Sequence, residues 1–422
     1  MEHSGGRFFE FAKNWLLPVI LGFVIGLFIL LLFDLYRLLY SASLLIVSWN
    51  PLLRLLCTFI ALFGGYLIVR LLAEDKGCGC GTDLVIERYH LRSGFLSLRD
   101  TISKTLASAV TIGFGGSAGL EGPSLLLGGG LSSFITRKLR LSQKDVRKLF
   151  LCGAAAGFSA IFKAPLTGIL LALEIPYKRD VETEVFIPAS IASITAYLTS
   201  AVALGTETIF PNPPFLYSPP PILMHAILLG ILAALVALAF LEIFDKTNTL
   251  VKKIAGRLSM SYIAVVGGLI VGVIGLFYPE ALGLGYDFIH KTTVAKLGEI
   301  DLSTLIAALL FKIVATSITL NFGGSGGLFV PSLYVGGTLG LIYAQMLNIE
   351  TPTVCVMLAI AAVLAATSKT LLTSITLVAE TVGPSFIISA IVSAAVSYFL
   401  SGNRSFYKNQ LLNKTMGIDV KA

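Results

Sequence analysis

The sequence predicts an all-α polytopic membrane protein made from two copies of one helical design, the second inverted relative to the first. Three observations predict it. The chain is 55% hydrophobic and only 13% charged, with a mean hydropathy of +0.86, whereas soluble domains are about 25% charged. Its apolar residues come in blocks long enough to cross a bilayer, and its two halves repeat one another in sequence.

The blocks come in the following order. Trp15 to Phe33 follows charged residues and lacks a small-residue cleavage site, so it is expected to be a retained span and not a signal peptide. Leu52 to Leu72 is the second. Both are near or above the roughly 20 apolar residues that a span needs. Further blocks lie at about 185–205, 222–244, 260–278, 303–320 and 384–401. A net charge of +7 would suggest nucleic acid in a soluble protein. Here the basic residues concentrate in two short connections, Arg137 to Lys148 and Lys246 to Arg257. The positive-inside tendency places both in the cytoplasm, so no nucleic-acid partner is expected. The proline-rich stretch 206–221 has no Lys or Arg and is placed outside, with both termini inside. Five cysteines and four scattered histidines show no zinc-type spacing, so no metal or other cofactor is expected.

An internal repeat organises the chain. Residues 115–132 (GGSAGLEGPSLLLGGGLS) and 323–340 (GGSGGLFVPSLYVGGTLG) are identical at 11 of 18 positions, at an offset of 208. Residues 163–174 (KAPLTGILLALE) and 369–380 (KTLLTSITLVAE) match at six of 12, at an offset of 206. The halves are therefore expected at about 50–205 and 222–401, joined by a linker at 206–221 and followed by a cytoplasmic segment at 402–422, all in one transmembrane domain. This is the layout of a duplicated transporter. A cytoplasmic loop at 137–148 and an outer one at 206–221 require an odd number of crossings between them, yet two apolar segments lie there. The segment 149–176, with Gly157, Pro165 and Gly168, is expected to be split or re-entrant, and 185–205 to cross. Broken helices at membrane depth survive only where they are buried in protein or line a polar cavity, so they point to a transport site.

Each long repeat runs glycine-rich up to a proline, Pro123 or Pro331, at a predicted helix start. Glycines let the backbone approach a ligand, and proline suits the first turn. A helix start leaves N–H groups unpaired at the positive end of the dipole, which suits a small anion. Two such starts from inverted halves can converge on one ion and still release it. Small residues also serve close helix packing, but two copies, each ending in proline, favour the anion reading. Glu121 lies inside the first repeat, where the second carries Phe329. A carboxylate at membrane depth is costly and functional by default. It can compete with the anion for the same N–H groups and can take a proton, so it is expected to gate.

These residues resemble the CLC family of chloride channels and chloride/proton antiporters. The family's G-[RK]-E-G-P motif is matched by Gly119 to Pro123, its G-x-F-x-P by Gly327 to Pro331, and its early G-S-G-x-P by Gly79-Cys80-Gly81-Thr82-Asp83. The resemblance covers nearly the whole chain. It implies a fold of tilted, broken and re-entrant helices, a homodimer with one ion path per subunit, and Glu121 as the external gate. It also implies that the Leu328 and Phe329 amides bind the central anion, with Gly122 nearby, and that the Tyr407 hydroxyl faces the site from the cytoplasm. Three positions depart from the pattern. Cys80 replaces the usual serine, and a thiol is a weaker donor. Leu120 replaces a basic residue. Ile175 stands where antiporters carry an internal glutamate, leaving the preceding Glu174 as a substitute on the proton path, although Glu380 holds the same place in the second repeat and suits a structural acid.

Chloride/proton exchange gated by Glu121 is therefore expected, with a passive, voltage-gated type of chloride channel as the alternative that Ile175 favours. The sequence stops soon after Tyr407 and resembles short prokaryotic members without C-terminal regulatory domains, which favours exchange and a prokaryotic cell membrane. An intramembrane enzyme lacks a convincing catalytic set in the spans, and a sodium-coupled transporter would present oxygens to its ion where two helix starts present N–H groups.

Overall fold

Apolar blocks become helices because a bilayer offers the backbone no partner but itself. The computed structural model describes residues 12–206, 221–383 and 386–415. Among them every regular element is helical except two strands of two residues each. Six helices are long and apolar enough to cross a membrane: Ala12–Trp49, Pro51–Leu72, Thr183–Leu204, Ile222–Ala255, Met260–Phe277 and Leu302–Asn321.

The first and fourth spans exceed the expected blocks. Leu17–Trp49 has 33 residues and Pro221–Ala255 has 35. At 1.5 Å per residue each is about 50 Å long, beyond the roughly 30 Å hydrocarbon core, so both must tilt. The block expected at 384–401 yields a 14-residue helix, Ile387–Leu400, shorter than a crossing. Most of the expected linker at 206–221 and the last residues of the segment at 402–422 lie outside the described residues.

The split at 149–176 is present and falls just before Pro165. Gln143–Phe162 ends at Lys163, whose φ is 53°, and Pro165–Glu174 restarts the helix. The second half repeats the device: Pro352–Ser368 ends at Lys369, with φ 57°, and Leu371–Val382 follows. Gly157 and Gly168 stay inside helices and do not break them. A Cβ on Gly168 would come within 2.9 Å of the Ala155 carbonyl, so its role is close packing. Pro352–Ser368 is apolar on every side and buried almost throughout, as a helix without a polar face must be.

The glycine-rich segments meet where the halves join. Gly79–Cys80 pairs in parallel with Ser325–Gly326, in the register Gly79 to Ser325 and Cys80 to Gly326. Gly119 and Gly327 exchange backbone hydrogen bonds of 2.9 and 2.8 Å. Three helix starts, Gly81–Leu91, Glu121–Lys138 and Phe329–Met346, are thereby drawn together.

Candidate anion site

The three helices begin without side-chain caps. Cys80, Leu120 and Leu328 occupy the cap positions, and none accepts from its own helix. The first-turn amides of Glu121–Lys138 and Phe329–Met346 therefore lack local acceptors. One acceptor comes from the opposite half. Glu121 is 1% exposed, and its Oε1 accepts from the Phe329 amide at 2.6 Å. Its Oε2 is buried with no partner. The carboxylate lies in a slot between Gly119 and Gly327, where a Cβ at either position would overlap one of its oxygens. Side chains are excluded from that slot sterically, which accounts for both glycines.

The remaining expected residues surround this point. A Cβ on Gly122 would stand 3.0 Å from the Gly326 carbonyl, so the backbones approach as closely there as glycine allows. Leu328 and Phe329 are buried, and the Phe329 ring packs edge-on against Phe158 and Phe162 at 5.2 and 5.4 Å. Tyr407, 1% exposed, sits on a C-terminal segment whose Phe406 amide donates to the Thr367 carbonyl. Tyr407 lies near Cys80, Glu121 and Asp83. Cys80, half-buried, lines a cavity of about 300 Å³ with Asp83, Lys104 and Phe406. Cys78 lines the same cavity but packs against Val69, Ala73 and Ala107. A second cavity, of about 410 Å³, is lined by Tyr36, Tyr40, Arg54, Gly115 and Tyr286.

Glu174 and Ile175 stand apart. Glu174 Oε1 accepts from the Leu372 amide at 2.8 Å, and Oε2 from the Thr373 amide and hydroxyl at 2.7 and 2.6 Å. Glu380 mirrors it: its oxygens accept from the Leu166 and Thr167 amides and the Thr167 hydroxyl at 2.9, 2.9 and 2.7 Å. Each re-entrant helix thus caps the start of the other through its own final turn. Ile175 is buried at the end of Pro165–Glu174.

Sequence reasoning passed over two groups. Lys312 is fully buried, and its ammonium donates to the carbonyls of Ala281 and Gly283 at 3.2 and 2.9 Å. It lies near enough to Glu121 for the two charges to attract. A lone lysine inside the apolar block 303–320 was the available signal. Asp83 accepts from the amide and side chain of Asn409 at 3.1 and 3.0 Å and so anchors the segment that bears Tyr407. No local pattern announces a partner 326 residues away.

Inverted halves that bring uncapped helix starts together around a buried carboxylate define an integral membrane transport protein of the duplicated, broken-helix class. The sequence profile described as voltage gated chloride channel matches residues 57–402, and the chain belongs to that family. An uncharacterized protein of Methanocaldococcus jannaschii is 30% identical over 83% of this chain and 86% of its own length. An H(+)/Cl(-) exchange transporter of Salmonella newport is 27% identical over 72% of this chain and 64% of its own. Among solved structures, a slow cyanobacterial Cl-/H+ antiporter superposes with a TM-score of 0.82 at 21% identity, covering 97% of this chain and 98% of that one.

Proposed function

We propose that this protein exchanges a small anion, chloride in the first instance, for protons, with Glu121 as the gate. One observation carries the proposal: the Glu121 carboxylate accepts from the Phe329 amide, at a helix start of the opposite half, and on this reading that amide is the anion's seat. A halide and this carboxylate compete for the same donors. When the anion arrives the carboxylate must leave, and protonation, which weakens its acceptance from the amide, lets it go. Its return requires that proton to go. Binding and protonation thereby become alternatives at one locus. The unpartnered Oε2 favours departure, since a buried unpaired polar atom costs about 1–3 kcal/mol. The likeness to a named exchange transporter supports the same reading.

On this account the Leu328, Phe329 and Gly122 amides hold the central anion, Cys80 and Tyr407 border it on the cytoplasmic side, and two chains assemble with one path each in a prokaryotic cell membrane, both termini inside. A passive chloride channel is the second reading. It is favoured by Ile175, which cannot carry a proton, and by Glu174, whose oxygens are both engaged. The test is the reversal potential across a reconstituted bilayer under a chloride gradient, with and without a pH gradient. Exchange predicts a shift with pH at fixed chloride. A potential that tracks chloride alone would establish the channel.

A further inference from the structure

A third cavity, of about 560 Å³, lies at the end of the first half, and Glu121, Phe329 and Tyr407 are not among its lining residues. Lys178, Arg179 and Lys369 line it. Lys369 is 2% exposed and held from within, donating to the Tyr398 carbonyl and the Ser401 hydroxyl at 2.8 and 2.6 Å. The backbone of the other two is pinned as well: the Lys178 and Arg179 amides donate to the Leu411 and Leu412 carbonyls at 2.8 and 3.0 Å. Their side chains have no hydrogen-bond or ion-pair partner among the described residues, and both charges act repulsively on the Lys369 ammonium. Burial alone pushes the Lys178 ammonium below its ordinary value.

Two acids, Glu174 and Asp180, also line the cavity, and both are held by backbone amides. Both oxygens of Glu174 are bound to the Leu372 and Thr373 amides. Asp180 accepts from the Val181 and Lys414 amides at 2.8 and 3.0 Å. Three cations against two carboxylates already engaged by amides leave an excess of positive charge, which suits an anion larger than a halide. The surface beside the cavity is apolar, with Phe399 72%, Leu400 55% and Leu372 45% exposed. The basic residues also belong to one copy only. Lys178 and Arg179 follow Glu174, whereas Thr381, Val382 and Gly383 follow Glu380. The cavity therefore sits on the side that the positive-inside pattern assigns to the cytoplasm.

We propose that Lys178, Arg179 and Lys369 bind the phosphate of an anionic phospholipid headgroup, whose acyl chains lie along Leu372, Phe399 and Leu400. Phosphate is the recognised chemistry and the lipid is its source, because cations and exposed apolar side chains adjoin at one site. The site is separate from Glu121, so it stands or falls independently of the exchange reading.

The test uses the full chain in detergent, titrated with short-chain phosphatidylglycerol or phosphatidylcholine, with bound lipid counted by native mass spectrometry. Phosphatidylglycerol is expected to bind saturably and phosphatidylcholine weakly. Each basic side chain near an anionic headgroup contributes about 1 kcal/mol, so the double variant Lys178→Gln/Arg179→Gln should bind phosphatidylglycerol on the order of 30-fold more weakly. Both side chains reach solvent, so the variant should fold, and Lys178→Arg should restore part of the binding. Equal binding by parent and double variant would overturn the proposal. So would glycerol phosphate competing as well as the lipid, which would assign the site to a soluble anion. Loss of lipid binding that accompanies a changed oligomeric state would assign the face to a second copy and also overturn it.

Discussion

Three carboxylates of this protein reach across to a helix start in the opposite half, two of them in one way and the third in another. Glu174 gives both oxygens to three donors, and Glu380 returns the same grip in mirror image. Glu121 gives one oxygen to one amide and leaves the other bare, and its counterpart is Phe329, with no carboxylate to reciprocate. Charge-assisted hydrogen bonds contribute about 1.5–3 kcal/mol each. A carboxylate held by three of them stays; one held by a single bond, with an orphaned oxygen, is poised to go. The same motif thus yields a clasp where the repeat is symmetric and, on the proposed reading, a gate where it is not.

Breaking the gate should have the largest effect. Glu121→Gln or Glu121→Ala is expected to remove the pH-dependent shift of the reversal potential while anion flux continues. Proton movement equal to the parent's would dismiss Glu121 as the gate. A subtler variant leaves the carboxylate in place and fills its slot. In Gly119→Ala the nearest atoms to the new Cβ all belong to Glu121, so the side chain should be expelled while the backbone stays. The pH-dependent shift of the reversal potential should then be lost, as in the Gln variant, and a retained shift would show that the slot is not the closed position.

Breaking the clasp should cost stability. Glu174→Gln turns an amide N–H₂ or a single carbonyl toward three donors, and the loss should be about 2–3 kcal/mol, read as a lower unfolding temperature in detergent. Glu380→Gln should act in the same direction but less, since Glu380 is more exposed. Proton coupling lost in Glu174→Gln at unchanged stability would instead put Glu174 on the proton path. Cys80→Ser replaces a weak donor with a stronger one and should change chloride affinity about two- to tenfold, the worth of one hydrogen bond. The smallest effect concerns the segment that carries Tyr407. The Lys414 amide holds the Asp180 carboxyl below its ordinary value. Its contribution to docking is therefore present above the usual aspartate range and fades as the pH falls through the lowered value. Asp180→Asn should flatten that acid-side loss, as followed by proteolysis of the C-terminal segment.

The duplication, most spans and the helix break were legible because each is a local pattern: apolar length, an offset between copies, a proline inside an apolar segment. Block length misjudged the first helix, which runs on through Tyr36, Arg37 and Tyr40 to Trp49 because a tilted helix carries its polar residues beyond the apolar stretch. Glu121 was legible as a costly carboxylate in a glycine-rich break. Its single bond to Phe329 was not, since 208 residues separate the partners. Lys312 was present in the sequence as one cation in an apolar run, but its worth depends on carbonyls from 281–284 that only the fold brings to it.

The central claim is that an anion and the Glu121 carboxylate share one seat. The most direct measurement is anomalous diffraction from crystals of Glu121→Gln grown in bromide, beside the parent under the same conditions. The account predicts a bromide on the Phe329 amide of the variant, where Oε1 lies in the parent. Bromide absent from that amide, or bound there equally in the parent with the carboxylate still in place, would contradict it.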